Sequence, residues 1–233
     1  MSYALKPLAL ITGNSNIALA QEVSRLLKTP LTKCSITKFA DGEISVNIFE
    51  SVRGKHVFLI QSLCHPVNDN LMELLLLMDG LHRASAEVTV IIPYYAYARQ
   101  DQKYGPREPI AAKLVAKLIE TAVCSRVVSL DLHSGQIQGF FDKPVDHLNT
   151  IVLFKNHFKK NFGKNLKSSD VVVVSPDAGG AKRARKFASA IGASLAIINK
   201  HRPNPNESSV THVVGKVAGK TAAGPGRHPL VPQ

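Results

Sequence analysis

Asp131-Leu132-His133 opens the densest polar stretch of the chain, which continues through Gln136, Gln138, Asp142 and Asp146. Carboxylates with one imidazole suit a hard cation such as Mg²⁺, which binds few protein groups and keeps water or substrate phosphate in its other positions. On extended backbone Asp131 and His133 point the same way, because strand side chains alternate with period two, so the pair can converge on one ion. A loop of solvated acids with a histidine capping a helix satisfies the same spacing.

Four further groups invite chemistry. Ser175-Pro176-Asp177-Ala178-Gly179-Gly180 precedes Lys182, Arg183, Arg185 and Lys186. Its glycines let backbone N–H groups approach an anion, and a following helix start adds a positive field. Asp177 can hold a metal or a sugar hydroxyl, although a plain chain reversal needs none of this. In Tyr94-Tyr95-Ala96-Tyr97-Ala98-Arg99-Gln100-Asp101, Arg99 can grip phosphate bidentately and Gln100 or a tyrosine can meet a purine; packing is the blander use of the aromatics. Phe39-Ala40-Asp41-Gly42-Glu43 offers a stacking ring and two carboxylates on a tight turn. Lys200-His201-Arg202-Pro203 starts a polar stretch in which two cations can neutralise a phosphoryl group in transfer, or simply face water.

The surrounding pattern supplies elements to position these groups. Apolar runs predict strands at 8–12, 44–49, 56–61, 88–93, 127–130, 171–175 and 194–198. Helical spacing predicts helices at 17–27, 110–121, 150–158 and 181–191, with another capped by Asp69 and carrying Leu71, Leu74, Leu75 and Met78. Alternating strands and helices define an α/β fold with mainly parallel sheets, whose ligands gather at the carboxyl ends of the strands. A boundary is expected near Asn149, giving domains 1–148 and 149–220. Proline and glycine after Thr221 predict a disordered tail over 221–233.

Composition excludes several classes. The 233 residues are 45% hydrophobic and 20% charged, with 15 Gly and 13 Pro, which fits a folded globular chain rather than a fibrous or disordered one. The longest apolar runs, 74–78 and 171–174, fall far short of the roughly 18 residues needed to span a bilayer. No secretory signal pattern opens the chain, so a cytoplasmic protein with no membrane partner is expected. Cys34, Cys64 and Cys124 are read as buried thiols rather than a disulfide or metal framework. The net charge of +12 is concentrated late: residues 1–150 carry 15 Lys+Arg against 14 Asp+Glu, and residues 151–233 carry 14 against 3. No aromatic interleaving and no recognisable nucleic-acid module accompanies that excess, so polyphosphate or an acidic partner segment explains it as well, and no nucleic-acid partner is expected.

Together these motifs resemble those of the ribose-phosphate pyrophosphokinases, which make phosphoribosyl pyrophosphate from ATP and ribose 5-phosphate. The resemblance runs from about Leu8 to Lys220 and is most specific over Asp131–Asp146. It implies two domains of the phosphoribosyltransferase type, with an active site between them and assembly into a homo-oligomer, usually a hexamer. By that resemblance Phe39, Asp41, Gly42, Glu43, Arg99 and Gln100 bind ATP, the 39–43 turn being borrowed from a neighbouring subunit. His133 and Asp177 bind Mg²⁺, Asp131, Asp142 and Asp146 lie at or beside the metal, and Lys200 and Arg202 ride a mobile catalytic loop. The family pattern continues beyond Lys220 into an apolar strand and an acidic loop for ribose 5-phosphate, which this sequence does not show. The second domain is therefore expected to be incomplete, and an ATP-binding or regulatory subunit with impaired turnover is the alternative to the active enzyme.

Overall fold

The structure, a computed structural model, describes residues 6–162, 167–201 and 209–224. The chain forms two compact units, Met1–Leu148 and Asn149–Gln233. In the first, β1 (Leu8–Thr12), β4 (His56–Ile60), β5 (Glu87–Ile92), β6 (Arg126–Leu130) and β7 (Val145–Leu148) form one sheet in the order β1-β4-β5-β6-β7. Every neighbouring pair in it is parallel. All five carboxyl ends therefore lie along one edge, where the loops after Thr12, Ile60, Ile92, Leu130 and Leu148 emerge. A separate antiparallel hairpin joins β2 (Cys34–Lys38) to β3 (Ile44–Ile48), and β3 packs against α2 (Val67–Arg83).

The helices obey local rules. In α1 (Ile17–Leu27) the Asn16 side chain accepts from Leu19 N at 3.1 Å, and Lys28 ends the helix in the left-handed region. Asp69 is not the cap of α2: the helix begins two residues earlier, with Pro66 at its cap position, and Asp69 lies in the first turn, where its charge suits the helix dipole. Leu74, Leu77, Met78 and Leu81 of α2 are completely buried in the core formed with β4, β5 and α3 (Ala111–Thr121). Each such side chain contributes about 1.5–3 kcal/mol relative to exposure.

The second unit has the strand order β10-β9-β8-β11, from β8 (Val171–Ser175), β9 (Ser194–His201), β10 (Ser209–Val214) and β11 (Thr221–Ala223). The β8–β9 and β8–β11 pairings are parallel, and β9–β10 is antiparallel. Helices α4 (Ile151–Phe162) and α5 (Ala181–Ile191) close its core, where Phe158 meets Phe187 edge to face at 6.2 Å beside Val171, Val173 and Ala188. The expected tail needs correction here. Thr221–Ala223 pair with Val171–Val173, because the apolar β8 backbone gains hydrogen-bond partners from a strand laid along its side, and Ala223 is buried. Residues 225–233 lie outside the described residues.

The thiols differ from expectation as well. Cys124 is buried, whereas Cys34 and Cys64 are only partly covered. No helix among the described residues is long and apolar enough to cross a membrane.

Candidate active site

The loop after β6 is shaped by a break in extended geometry. Asp131 has φ +42°, so the alternation that would aim Asp131 and His133 together stops at Leu130. Asp131 N donates to Leu148 O at 3.0 Å, and Leu132 N donates to His147 Nε2 at 3.0 Å. That imidazole nitrogen is thus an acceptor, which fixes the His147 tautomer with its proton on Nδ1. Leu132 and Ile137 anchor the loop in the core, and His133 stands exposed between them.

The neighbouring loop, after β5, sorts its residues by depth. Tyr95, Ala96 and Ala98 are buried, while Tyr97, Arg99 and Gln100 face outward. The Tyr95 hydroxyl donates to Ala112 O at 3.0 Å, and its ring meets Phe141 edge to face; burial raises its phenol well above the usual tyrosine range. Tyr97, with φ +60°, donates its hydroxyl to Asn68 Oδ1 at the start of α2. Gln100 N donates to Tyr97 O at 3.0 Å and Gln100 O accepts from Ala112 N at 3.1 Å, so the backbone beneath the Gln100 side chain is fixed. Beside these sits Asp101, buried, whose Oδ2 accepts from the Ser134 hydroxyl and from Gln136 Nε2 at 3.3 Å. The sequence gives no sign that Asp101 turns inward while the two residues before it turn outward.

At the hairpin, Phe39 is 58% exposed. Gly42 N donates to Phe39 O at 3.0 Å, and Glu43 N donates to Asp41 Oδ1 at 3.1 Å. Gly42 has φ +93°, a conformation a side chain would strain. The turn end of the hairpin is tied to α2 by the Lys38–Asp69 ion pair. A cleft of about 350 Å³ beside it is lined by Asn14, Lys38, His65, Asp69 and Glu73. Under that cleft, Glu73 accepts from Asn14 N, from Asn14 Nδ2 at 3.2 Å and from Gln61 Nε2 at 2.9 Å. Ser15 Oγ donates to Gln61 Oε1 at 2.7 Å. This network escaped the sequence reading, although Asn70 and Glu73 interrupting the buried stripe Leu74, Leu77, Met78 and Leu81 are its signature.

Asp142 and Asp146 are not brought to His133. Because β6 and β7 are parallel, the chain returns through the 3₁₀ turn Gly135–Phe140 to the amino ends of the strands before β7 begins. Asp142 precedes Val145 there, and its backbone N donates to Glu120 Oε1 near the end of α3. Asp146 lies within β7, opposite Val128, and takes two hydrogen bonds from Arg126 at 2.9 and 3.0 Å. Among the described residues no group of three or more His, Cys, Asp or Glu side chains is placed to hold a metal ion.

In the second unit, the turn between β8 and α5 is braced by its own atoms. Ser175 Oγ donates to Asp177 O at 2.7 Å, and Gly180 N donates to Asp177 Oδ1 at 2.7 Å. Lys182, Arg183, Arg185 and Lys186 are exposed along α5. Lys200 belongs to β9, not to a loop: the strand runs on to His201, and Lys200 pairs with Val210 because β10 extends the antiparallel ladder past Ile198. Arg202 lies outside the described residues.

In each unit polar and charged groups stand on loops at the carboxyl ends of parallel strands, Arg99, Gln100 and His133 in the first and Asp177 in the second, the position at which α/β proteins bind ligands. Residues 8–122 match the N-terminal domain of ribose phosphate pyrophosphokinase. The ribose-phosphate pyrophosphokinase of Bacillus caldolyticus is 53% identical over 223 residues, covering 95% of this chain and 69% of that protein. That of Bacillus subtilis (strain 168) is 51% identical over 221 residues, covering 94% and 68%. The crystal structure of phosphoribosylpyrophosphate synthetase from Mycobacterium smegmatis superposes with a TM-score of 0.84 at 44% identity, covering 94% of this chain and 70% of that one. The chain belongs to the ribose-phosphate pyrophosphokinase family.

Proposed function

We propose that this chain transfers the pyrophosphoryl group of ATP to the 1-hydroxyl of ribose 5-phosphate, giving phosphoribosyl pyrophosphate and AMP. The hydroxyl oxygen forms a bond to the β-phosphorus as the bond from that phosphorus to the α–β bridging oxygen breaks, and the hydroxyl proton is released. Family membership carries the reading, and the loops after β5 and β6 support it. They leave adjacent parallel strands and expose Arg99, Gln100 and His133 at one edge. Arg99 presents a planar fork for phosphate oxygens and Gln100 an amide for the base. Phe39 offers an exposed ring for stacking, with Asp41 and Glu43 beside it as acceptors. The reading in which the chain only binds ATP is not favoured, since the curated relatives carry the name of the active enzyme.

Mg²⁺ fits the donors on the first and second units singly. His133 offers an exposed imidazole, and Asp177 a partly exposed carboxylate steadied by Gly180 N. An ion that keeps water and substrate oxygens needs no more from each. When held by these residues, the ion would supply neutralisation of polyphosphate charge and orientation of the transferred group. Asp131 is kept as a neighbour of His133, and Lys200 and Arg202 are assigned to charge neutralisation during transfer. A homo-oligomer working in the cytoplasm, hexameric as in the family pattern, completes the proposal; light scattering of the purified chain tests its assembly.

The deciding experiment follows AMP release with and without ribose 5-phosphate. AMP formation that requires the sugar phosphate and falls at least tenfold in Arg99→Ala and His133→Ala supports the assignment, as expected for lost charge stabilisation. ATP turnover indifferent to ribose 5-phosphate overturns it.

A further inference from the structure

The ladder between β5 and β6 ends at Ile92 and Ser129, where Ser129 Oγ also donates to Ile92 O at 2.9 Å. Beyond that point no strand pairing holds the two loops together, although one carries Arg99 and Gln100 and the other His133. Asp101 spans them. It follows Gln100 directly, is 8% exposed, and accepts through one oxygen from Ser134 and Gln136, which flank the start of the turn after His133. None of the ion pairs among the described residues includes it. A buried carboxylate without a cation is expensive to keep, and an apolar residue would fill the same space at lower cost. Its hydrogen bonds are charge-assisted and directional, which suits them to fixing one loop against another.

We propose that Asp101 is a positioning residue: it locks the ATP-facing loop after β5 to the His133 loop after β6, so that Arg99, Gln100 and His133 meet one nucleotide in a single arrangement. The inference rests on the function proposed above, because it assigns both loops to the same ligand.

The test compares Asp101→Asn, which keeps the shape and removes the charge, with Ser134→Ala, Ser134→Thr and Ser129→Ala. Ser129→Ala deletes a buried hydroxyl link between the same two strands one layer below the loops and serves as the stability control. Calorimetry gives the Kd for Mg-ATP, steady-state assays give kcat and KM, and melting gives stability. Asp101→Asn is expected to weaken Mg-ATP binding and to lower kcat, each by about tenfold, the scale expected of misplaced binding groups. Ser134→Ala moves both in the same direction, Ser134→Thr restores them, and Ser129→Ala lowers the melting temperature while Kd and KM hold. Equal Kd and KM in wild type and both loop variants, or equal losses in Ser129→Ala, overturn the positioning role while leaving the function intact. A wild-type chain that binds no Mg-ATP overturns both.

Discussion

The loop after β6 and the turn after β8 both follow a parallel strand and both carry a residue proposed to meet Mg²⁺, yet they are held by opposite means. The β8 turn is braced from within: Ser175 and Gly180 both bond to Asp177, all within the segment 175–180. The β6 loop is braced from outside, by Asp101, which lies 33 positions before Ser134, and by His147. Local bracing survives changes elsewhere in the unit. Remote bracing makes the geometry of one loop depend on the fold of another, so the two sites should fail differently.

The largest expected effect comes from a second remotely braced node. A Cβ on Gly13 would stand 2.3 Å from Gln61 Oε1 and 2.4 Å from Glu73 Oε1, so both side chains must shift and give up hydrogen bonds of the buried network. Gly13→Ala should cost roughly 2–3 kcal/mol by overpacking, measured by urea unfolding; a loss under 0.5 kcal/mol would show the network to be soft. Asp177→Ala comes next, at about 1 kcal/mol for one lost hydrogen bond. Its amide-exchange signature should be confined to residues 175–184, and spread into β9 would erase the contrast between the two loops.

Asp146→Ala sits lower. Its ion pair with Arg126 is nearly half exposed, so screening should hold its contribution to about 0.5 kcal/mol. A loss above 2 kcal/mol would make it a structural brace after all. Cys124 gives the smallest effect at neutral pH. Burial, with Glu120 nearby, pushes its thiol up to about 11. The neutral thiol favours the folded state, so that contribution is complete below the unfolded thiol value of about 8.5 and fades as pH rises toward 11. Wild type should therefore lose stability over that window more steeply than Cys124→Ala, and parallel pH profiles would contradict the burial argument.

The same contrast governs what could be read in the sequence. Leu8–Thr12, Ile17–Leu27, Val171–Ser175 and Ala181–Ile191 have the same bounds in both readings, because apolar period and Asn or Gly punctuation act within each segment. The strand Cys34–Lys38 was missed, since its alternation rests on two apolar positions alone, Cys34 and Ile36, both only partly buried. Val145–Leu148 was missed too, being four residues inside a polar motif. Arg99, Gln100 and His133 were legible as candidates from residue type and from their place after apolar runs. The roles of Asp101 and Glu73 were not: the buried stripe of α2 marks Glu73 as inward-facing, but nothing near either residue encodes partners 33 and 59 positions away. The separation of Asp142 and Asp146 from His133 likewise required knowing that β7 runs parallel to β6.

The hairpin that carries Phe39, Asp41 and Glu43 has one more property. Its outermost pair, Cys34 with Ile48, closes a loop of 14 residues, whereas the first sheet pairing, Leu8 with His56, closes one of 48. Loop-closure entropy grows with the length enclosed, and parallel neighbours must wait for a crossover to form. The turn proposed to meet the nucleotide is thus encoded in the least costly pairing of its unit to assemble, and the sheet edge that presents Arg99 and His133 depends on the costlier ones.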